Sequence, residues 1–440
     1  MIGVFDALRA EIAAVPTSHA VGRVAEVARG TLRVTGLERR ATLGDRVIVG
    51  ESAGAGALGG EVLSLAADGL TVLTDDIPEG LPMGAEVTLC GQSRIAPDGS
   101  WIGRIVDPFG RPLDGRPLFR GATSRALRGP APAAARRRRL GERLATGVAA
   151  FDTLLPLVRG QRIGLFAGSG VGKSSLLAKF ARGVQADVVV IALIGERGRE
   201  LREFTERVLG SEGMSRSVIV TATSDQSPLV RRRCAWAAMA VAEHFRDQGQ
   251  HVLFLADSIT RFAEAHREVA LAGGEEASLR GYPPSLAPMI MALAERAGPG
   301  TEGSGDITAV FSVLVAGSDM EEPVADILRG TIDGHVVLDR KIAERGRFPA
   351  IDLLRSVSRS LPEAASVEEN ILIAQARRLL GTYDRAEMMI QAGLYVRGSD
   401  PQVDLAVQVW PALDAFLAED APSDGIAGSF RRLAAALKTR

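Results

Sequence analysis

The stretch "AGSGVGKSS", residues 167–175, stands between the apolar run "QRIGLFAG" and the helical text "SSLLAKFARGVQ". That context decides the fold. Gly168, Gly170 and Gly172 let the backbone curl so that its N–H groups, with those of Ser169 and Val171, turn inward on phosphate oxygens. Lys173 adds a point charge for the β- and γ-phosphates, and the Ser174 hydroxyl is placed to ligate Mg²⁺. Ser175 continues into a helix whose N-terminus favours an anion. The first position is Ala167 where the motif usually has glycine, which changes little.

Outward from the loop, apolar runs alternate with amphipathic stretches. "DVVVIALIGE" precedes "RELREFTERVLG", and "HVLFLADS" follows "RRRCAWAAMAVAEHFRDQG". Continuously apolar strands alternating with helices predict a parallel sheet covered on both faces, an α/β core. "HVLFLADS" ends in Asp257, where a carboxylate can hold the water shell of the metal. "ALIGERGREL" ends its strand in Glu196, followed at once by Arg197 and Arg199. A carboxylate there is costly unless something pairs it or uses it. With a γ-phosphate to face, Glu196 has a water to position, and Arg197 and Arg199 read as the groups that keep it ionised and oriented.

The flanks have other textures. Residues 20–90 hold short Val/Leu/Thr-rich runs between turn residues and no Phe, Tyr or Trp, the pattern of a small β-barrel without a stacking face. After about 365 the text is helical to the end. Residues 4–15 place Val4, Phe5, Leu8, Ile12 and Val15 at helical spacing, a stripe in search of something to pack on. The four arginines 136–139 read as a solvated connector.

The totals exclude several classes. Among 440 residues, 53 acids nearly cancel 52 bases, so no basic field argues for a nucleic acid partner. Two cysteines, Cys90 and Cys234, make no disulfide framework and suit a reducing compartment. No apolar run approaches the roughly 20 residues that span a bilayer, so a cytoplasmic protein with only peripheral membrane contact is expected.

"GERGREL", "LADSITRFAEAHREVALA", "GYPPS", "DGHVVLDRKIAERGRFPAIDLLRSVSR" and "GSDP" follow the loop in the order seen in rotary-type ATPases. The chain resembles that family over about 20–415, and within it the type III protein export branch, whose flagellar members are nearest and injectisome members very near. Catalytic subunits of F-type synthases usually read "GGAGVGKT" and "GERTREGND", and their acidic C-terminal segment has no counterpart here. A non-catalytic rotary subunit would lack the glutamate of "GER".

The resemblance implies a partner-binding helix at 1–19, a β-barrel at 20–92, a RecA-like ATPase domain at 93–364 and a helical domain at 365–440. It implies a homohexameric ring that hydrolyses ATP with Mg²⁺ between subunits. Glu196 falls on the catalytic carboxylate, Phe348 on the adenine-side aromatic with Tyr395 closing the other side, and Arg359 of "SVSR" on a finger acting across subunits. The implied partners are a stator-like negative regulator at the N-terminal helix, the export gate, a central stalk protein, and export chaperones and substrates. The implied place is the inner face of the cytoplasmic membrane.

Overall fold

Six short strands alternate small apolar and polar residues, and they close into a barrel in the order β1-β2-β5-β4-β3-β6. They are β1 (Ala20–Val27), β2 (Thr31–Thr35), β3 (Asp45–Val49), β4 (Leu58–Ala66), β5 (Gly69–Thr74) and β6 (Glu86–Gln92). Val24, Leu32, Val34, Val47, Val62, Val72 and Val87 fill the interior. A six-stranded barrel leaves room for Val and Leu but not for rings, which is why a sequence without aromatics packs it. The computed structural model describes residues 4–15, 17–28, 30–50, 57–315 and 320–438.

A ribbon of β7 (Arg94–Ile95) and β9 (Arg125–Ala126) leads into the main sheet. That sheet comprises β8 (Arg104–Val106), β10 (Arg162–Ala167), β11 (Val188–Glu196), β12 (Ser217–Thr223), β13 (Val252–Asp257), β14 (Ile307–Leu314), β15 (Gly334–Leu338) and β16 (Ile351–Ser358). Its order is β16-β15-β10-β14-β13-β11-β12-β8, parallel except where β16 turns back on β15. All six residues of β13 and eight of nine in β11 are buried, as strands covered on both faces must be.

One face carries the long helix Pro228–Asp247, with Trp236, Met239 and Phe245 in its core. The other carries the helix Lys173–Gly183 and the C-terminal helices, whose Leu413, Phe416 and Leu433 share one cluster with Phe151 and Phe180. An α/β core between a barrel and a helical unit is therefore what the chain adopts.

The arginine run is solvent-exposed at Arg136, Arg138 and Arg139, as a solvated connector should be, but Arg137 and Arg138 also make specific contacts. Arg137 donates to the carbonyls of Pro132 and Ala297, both at 3.1 Å, and Arg138 reaches Asp306 at 2.6 Å. A connector crossing the sheet end has backbone carbonyls to satisfy, and these two side chains fasten it there. Cys90 and Cys234 are both unpaired.

Two histidines make the fold acid-sensitive. His251 bonds Thr308 Oγ1 at 2.8 Å and His266 bonds Ser285 Oγ at 2.8 Å, and burial pushes each down to about 4. A folded value below the unfolded one means stability present above about pH 6.5 and lost as pH falls toward 4. Unfolding in denaturant is expected to lose up to about 2 kcal/mol per histidine between pH 7 and 5. His251→Gln and His266→Gln should each flatten that slope.

Candidate active site

The phosphate loop leaves β10 at Ala167, with Gly170 at φ 77° and Gly172 at φ 86°. Both glycines hold the left-handed turn that presents successive N–H groups to one side. A Cβ on Gly170 would meet nothing within 4 Å, so the loop has an open face. Lys173 then begins the helix Lys173–Gly183. The loop, Ser174, Ser175, Glu196 and Arg197 line one cleft of about 1180 Å³ with Arg261 and Tyr282. That is ample for a nucleoside triphosphate, and it lies at the carboxyl ends of the strands, as open α/β sheets place their ligands.

Strand order explains which charges meet. Asp257 ends β13, which pairs with β11, and Leu193 lies opposite Asp257, so Glu196 is carried to the same edge. Lys173 Nζ pairs with Asp257 Oδ1, which also accepts from Ser312 Oγ at 2.8 Å. Both of these contacts use Oδ1. A hydroxyl at Ser174 and a carboxylate at Asp257 are oxygen donors suited to a hard divalent cation. No group of three or more His, Cys, Asp or Glu that could hold a metal occurs among the described residues. A cation here would therefore complete its shell from phosphate and water, as Mg²⁺ usually does.

Glu196 is half-buried, and its carboxyl is pushed up to about 7. Burial is the first cause and the negative charge of Asp257 the second, while Lys173 opposes both. Such a group is poised to take a proton near neutral pH. The expected role of the two arginines is corrected here. Arg197 extends into solvent and pairs with Glu200 at 3.5 Å, and Arg199 is exposed. The cation that favours an ionised Glu196 is Lys173, because strand ends converge on it while Arg197 stands at the N-cap of the next helix, Gly198–Glu203.

Phe348 lies against the loop: a Cβ on Gly172 would come within 3.1 Å of its ring, which is 48% exposed. Tyr395 is elsewhere engaged, its hydroxyl donating to the Asp400 carbonyl at 3.0 Å and meeting Asp404 Oδ1 at 2.9 Å. Neither contact involves the cleft. Arg261 escaped the sequence reading. It packs under Gly195, pairs with Glu264 at 2.9 Å and feels the charge of Glu196. Its signal was the arginine one turn into the helix that follows "LADS".

Arg359 sits at the other end of the sheet. It follows β16, whose Ser358 lies opposite Gly334 at the start of β15. Its backbone N–H bonds Asp333 O at 3.0 Å, and its guanidinium donates to Ile332 O at 3.1 Å. Asp333 in turn binds Arg162, where β10 begins. The loop starts where β10 ends, five residues of strand or about 17 Å away.

The model of the ATP synthase alpha/beta family, nucleotide-binding domain, matches residues 147–358, and that of the T3SS EscN ATPase C-terminal domain matches 365–425. The flagellum-specific ATP synthase of Caulobacter vibrioides is 45% identical over 406 residues, covering 91% of both chains. The chain belongs to the ATP synthase alpha/beta family. The Salmonella typhimurium flagellum-specific ATP synthase is 40% identical, covering 94% of this chain and 92% of its own. The assembled EscN ATPase of enteropathogenic E. coli superposes with TM-score 0.86 at 34% identity over 95% of this chain and 100% of that one. With these relatives the family member described here is an export-type ATPase, an enzyme of the flagellar and type III secretion branch.

Proposed function

We propose that the chain hydrolyses ATP at interfaces between its own copies and so energises export of flagellar proteins. The observation that carries this is the separation of Glu196 from Arg359. Both residue types serve γ-phosphoryl transfer, yet one chain holds them at opposite ends of its sheet. Copies arranged head to tail in a closed ring bring the Arg359 end of one chain to the loop of the next. A homohexamer fits that arrangement. EscN is described as assembled and, in a second structure, in complex with its central stalk EscO, and we extend both relations to this chain.

In the reaction, loop N–H groups and Lys173 hold the phosphates, and Glu196 orients a water in line with the bond to be broken. The water oxygen bonds to the γ-phosphorus as the bond to the β–γ bridging oxygen breaks. The water's proton passes toward Glu196, and ADP keeps the electron pair. Mg²⁺ held by Ser174 and Asp257 would neutralise charge on the β- and γ-oxygens. Arg359 of a neighbouring copy adds positive charge where γ-phosphoryl charge spreads.

Phe348 is placed to stack on the adenine ring. Phe348→Ala is expected to raise KM for ATP about tenfold with kcat nearly unchanged, since stacking on a ring is worth about 1–3 kcal/mol. Steady-state titration with ATP checks this. Tyr395 as the second adenine-side ring keeps weaker support, because Asp400 and Asp404 already hold it.

The N-terminal helix Val4–Ala14 carries Phe5, Leu8 and Ile12, with Val15 beyond it, between 51% and 83% exposed; the Val4 side chain lies outside the described residues. An apolar stripe left open supports a partner helix, in our reading the stator-like regulator. Deleting residues 2–18 is expected to abolish binding of that regulator in a pull-down while the melting temperature stays put. Unchanged affinity would return the helix to a local packing role.

No described helix is long and apolar enough to cross a membrane. We place the enzyme at the cytoplasmic face of the membrane, docked beneath the export gate with chaperones and substrates. Complementation tests the whole reading. The gene should restore secretion of hook and filament proteins in a strain lacking its flagellar export ATPase, and Glu196→Gln should not. Rescue of an injectisome mutant alone would assign the chain to that system instead.

A further inference from the structure

A chain of hydrogen bonds runs from the barrel to the wall of the nucleotide cleft. Glu61 on β4 is buried and accepts from Arg128 at 2.5 Å and from Arg232 at 2.8 Å. Arg232 belongs to the long helix Pro228–Asp247, and both arginines lie over the Trp236 ring, at 4.3 and 5.1 Å. The second fork of Arg232 reaches His266 Nδ1 at 3.4 Å. A guanidinium has only donors, so Nδ1 is the acceptor and the ring proton must sit on Nε2. That Nε2–H donates to Ser285 Oγ at 2.8 Å, and Ser285 Oγ donates to Glu275 Oε2 at 2.6 Å. Glu275 Oε1 also accepts the Ser285 backbone N–H at 2.8 Å. Every member of this relay has one direction available to it, and His266 fixes the direction.

The relay closes the loop 273–285. Its ends meet at Glu275 and Ser285, and a second closure joins Ser278 N–H to Tyr282 O at 2.8 Å. Arg280 and Tyr282, at the tip, line the nucleotide cleft, and Arg267 lies over the Tyr282 ring at 5.1 Å. His266 and Arg267 are neighbours on one helix, so one residue holds the base of the loop while the next touches its tip.

We infer that His266 is a positioning residue for the nucleotide cleft: it locks the loop that carries Arg280 and Tyr282, taking its own orientation from Arg232 and, through it, from Glu61 of the barrel. The inference rests on reading that cleft as the ATP site. Burial and the neighbouring Arg232 push His266 down to about 4, which keeps Nδ1 free to accept at physiological pH. Arg280 and Tyr282 contribute to the wall of the cleft, while Lys173 and Glu196 come from the phosphate loop and β11, so displacement of the loop is expected to weaken nucleotide binding more than the chemical step. A misplaced wall group is felt strongly because small displacements from a productive geometry cost large factors.

ATP titrations of the full chain, with phosphate release as the readout, test this. His266→Leu is expected to raise KM about tenfold with kcat within about threefold of the unaltered chain. His266→Gln should return KM to within about twofold, because the amide offers one acceptor and one donor as the neutral ring does. Glu61→Ala, a barrel substitution, should raise KM about threefold. Should His266→Leu fail to fold, Ser285→Ala breaks the same relay and is read in the same way. An unchanged KM in a folded His266→Leu or Ser285→Ala chain overturns the inference, as does a His266→Gln chain no better than His266→Leu. Lys173→Ala is the control. If the unaltered chain hydrolyses no ATP, or Lys173→Ala is as active, it is the ATPase reading that fails.

Discussion

Replacing Glu196 by glutamine is expected to lower kcat by about 10²–10⁴-fold while leaving ATP affinity close to that of the unaltered chain. The amide keeps the shape of the side chain and loses its basicity. The contact that anchors Lys173 survives the change, because its ammonium pairs with Asp257, and only the longer-range attraction between Lys173 and Glu196 is lost. Removing a negative charge beside Asp257 also makes the cleft slightly more receptive to a triphosphate. Binding of a fluorescent ATP analogue should therefore be equal or tighter, while phosphate release disappears. Normal turnover would remove Glu196 from the mechanism.

Arg359→Ala should cost about 10³-fold or more in kcat, the range known for arginines that stabilise phosphoryl charge. The chain itself should fold as before. Arg359 is exposed and, among the described residues, its guanidinium donates to the Ile332 and Arg329 carbonyls, neither of them a charged group. Arg359→Lys should recover little, since an ammonium lacks the planar fork. Purified protein, with oligomeric state checked by light scattering, gives both numbers in one steady-state assay.

The local features of the site were legible because their chemistry is carried by adjacent residues. A Gly-rich turn, a lysine and a hydroxyl follow one another in 167–175, and Asp257 and Glu196 each end an apolar run. The barrel was legible for a similar reason, a period of two broken by turn residues. What sequence could not give was which strand ends become neighbours. Adjacent arginines looked like the partners of Glu196, but the order β10-β14-β13-β11 sets it facing Lys173 and Asp257 instead. Arg137 and Arg138 read as solvated charge because their acceptors, Ala297 and Asp306, lie over 150 residues away. The Glu61–Arg232 pair spans 171 residues and two different folds, so no local pattern announces it.

The same limit applies to Arg359. Its motif suggested a finger, and the sheet shows why it cannot serve its own loop. The central claim is therefore that one chain holds half of each site. Mixing Arg359→Ala chains with Lys173→Ala chains tests it most directly, with co-assembly verified by differently tagged copies. Each parent alone should be inactive. In mixed rings roughly a quarter of interfaces pair an intact loop with an intact finger, and phosphate release should reappear in proportion. Mixed rings no more active than the sum of their parents would contradict a site shared between chains.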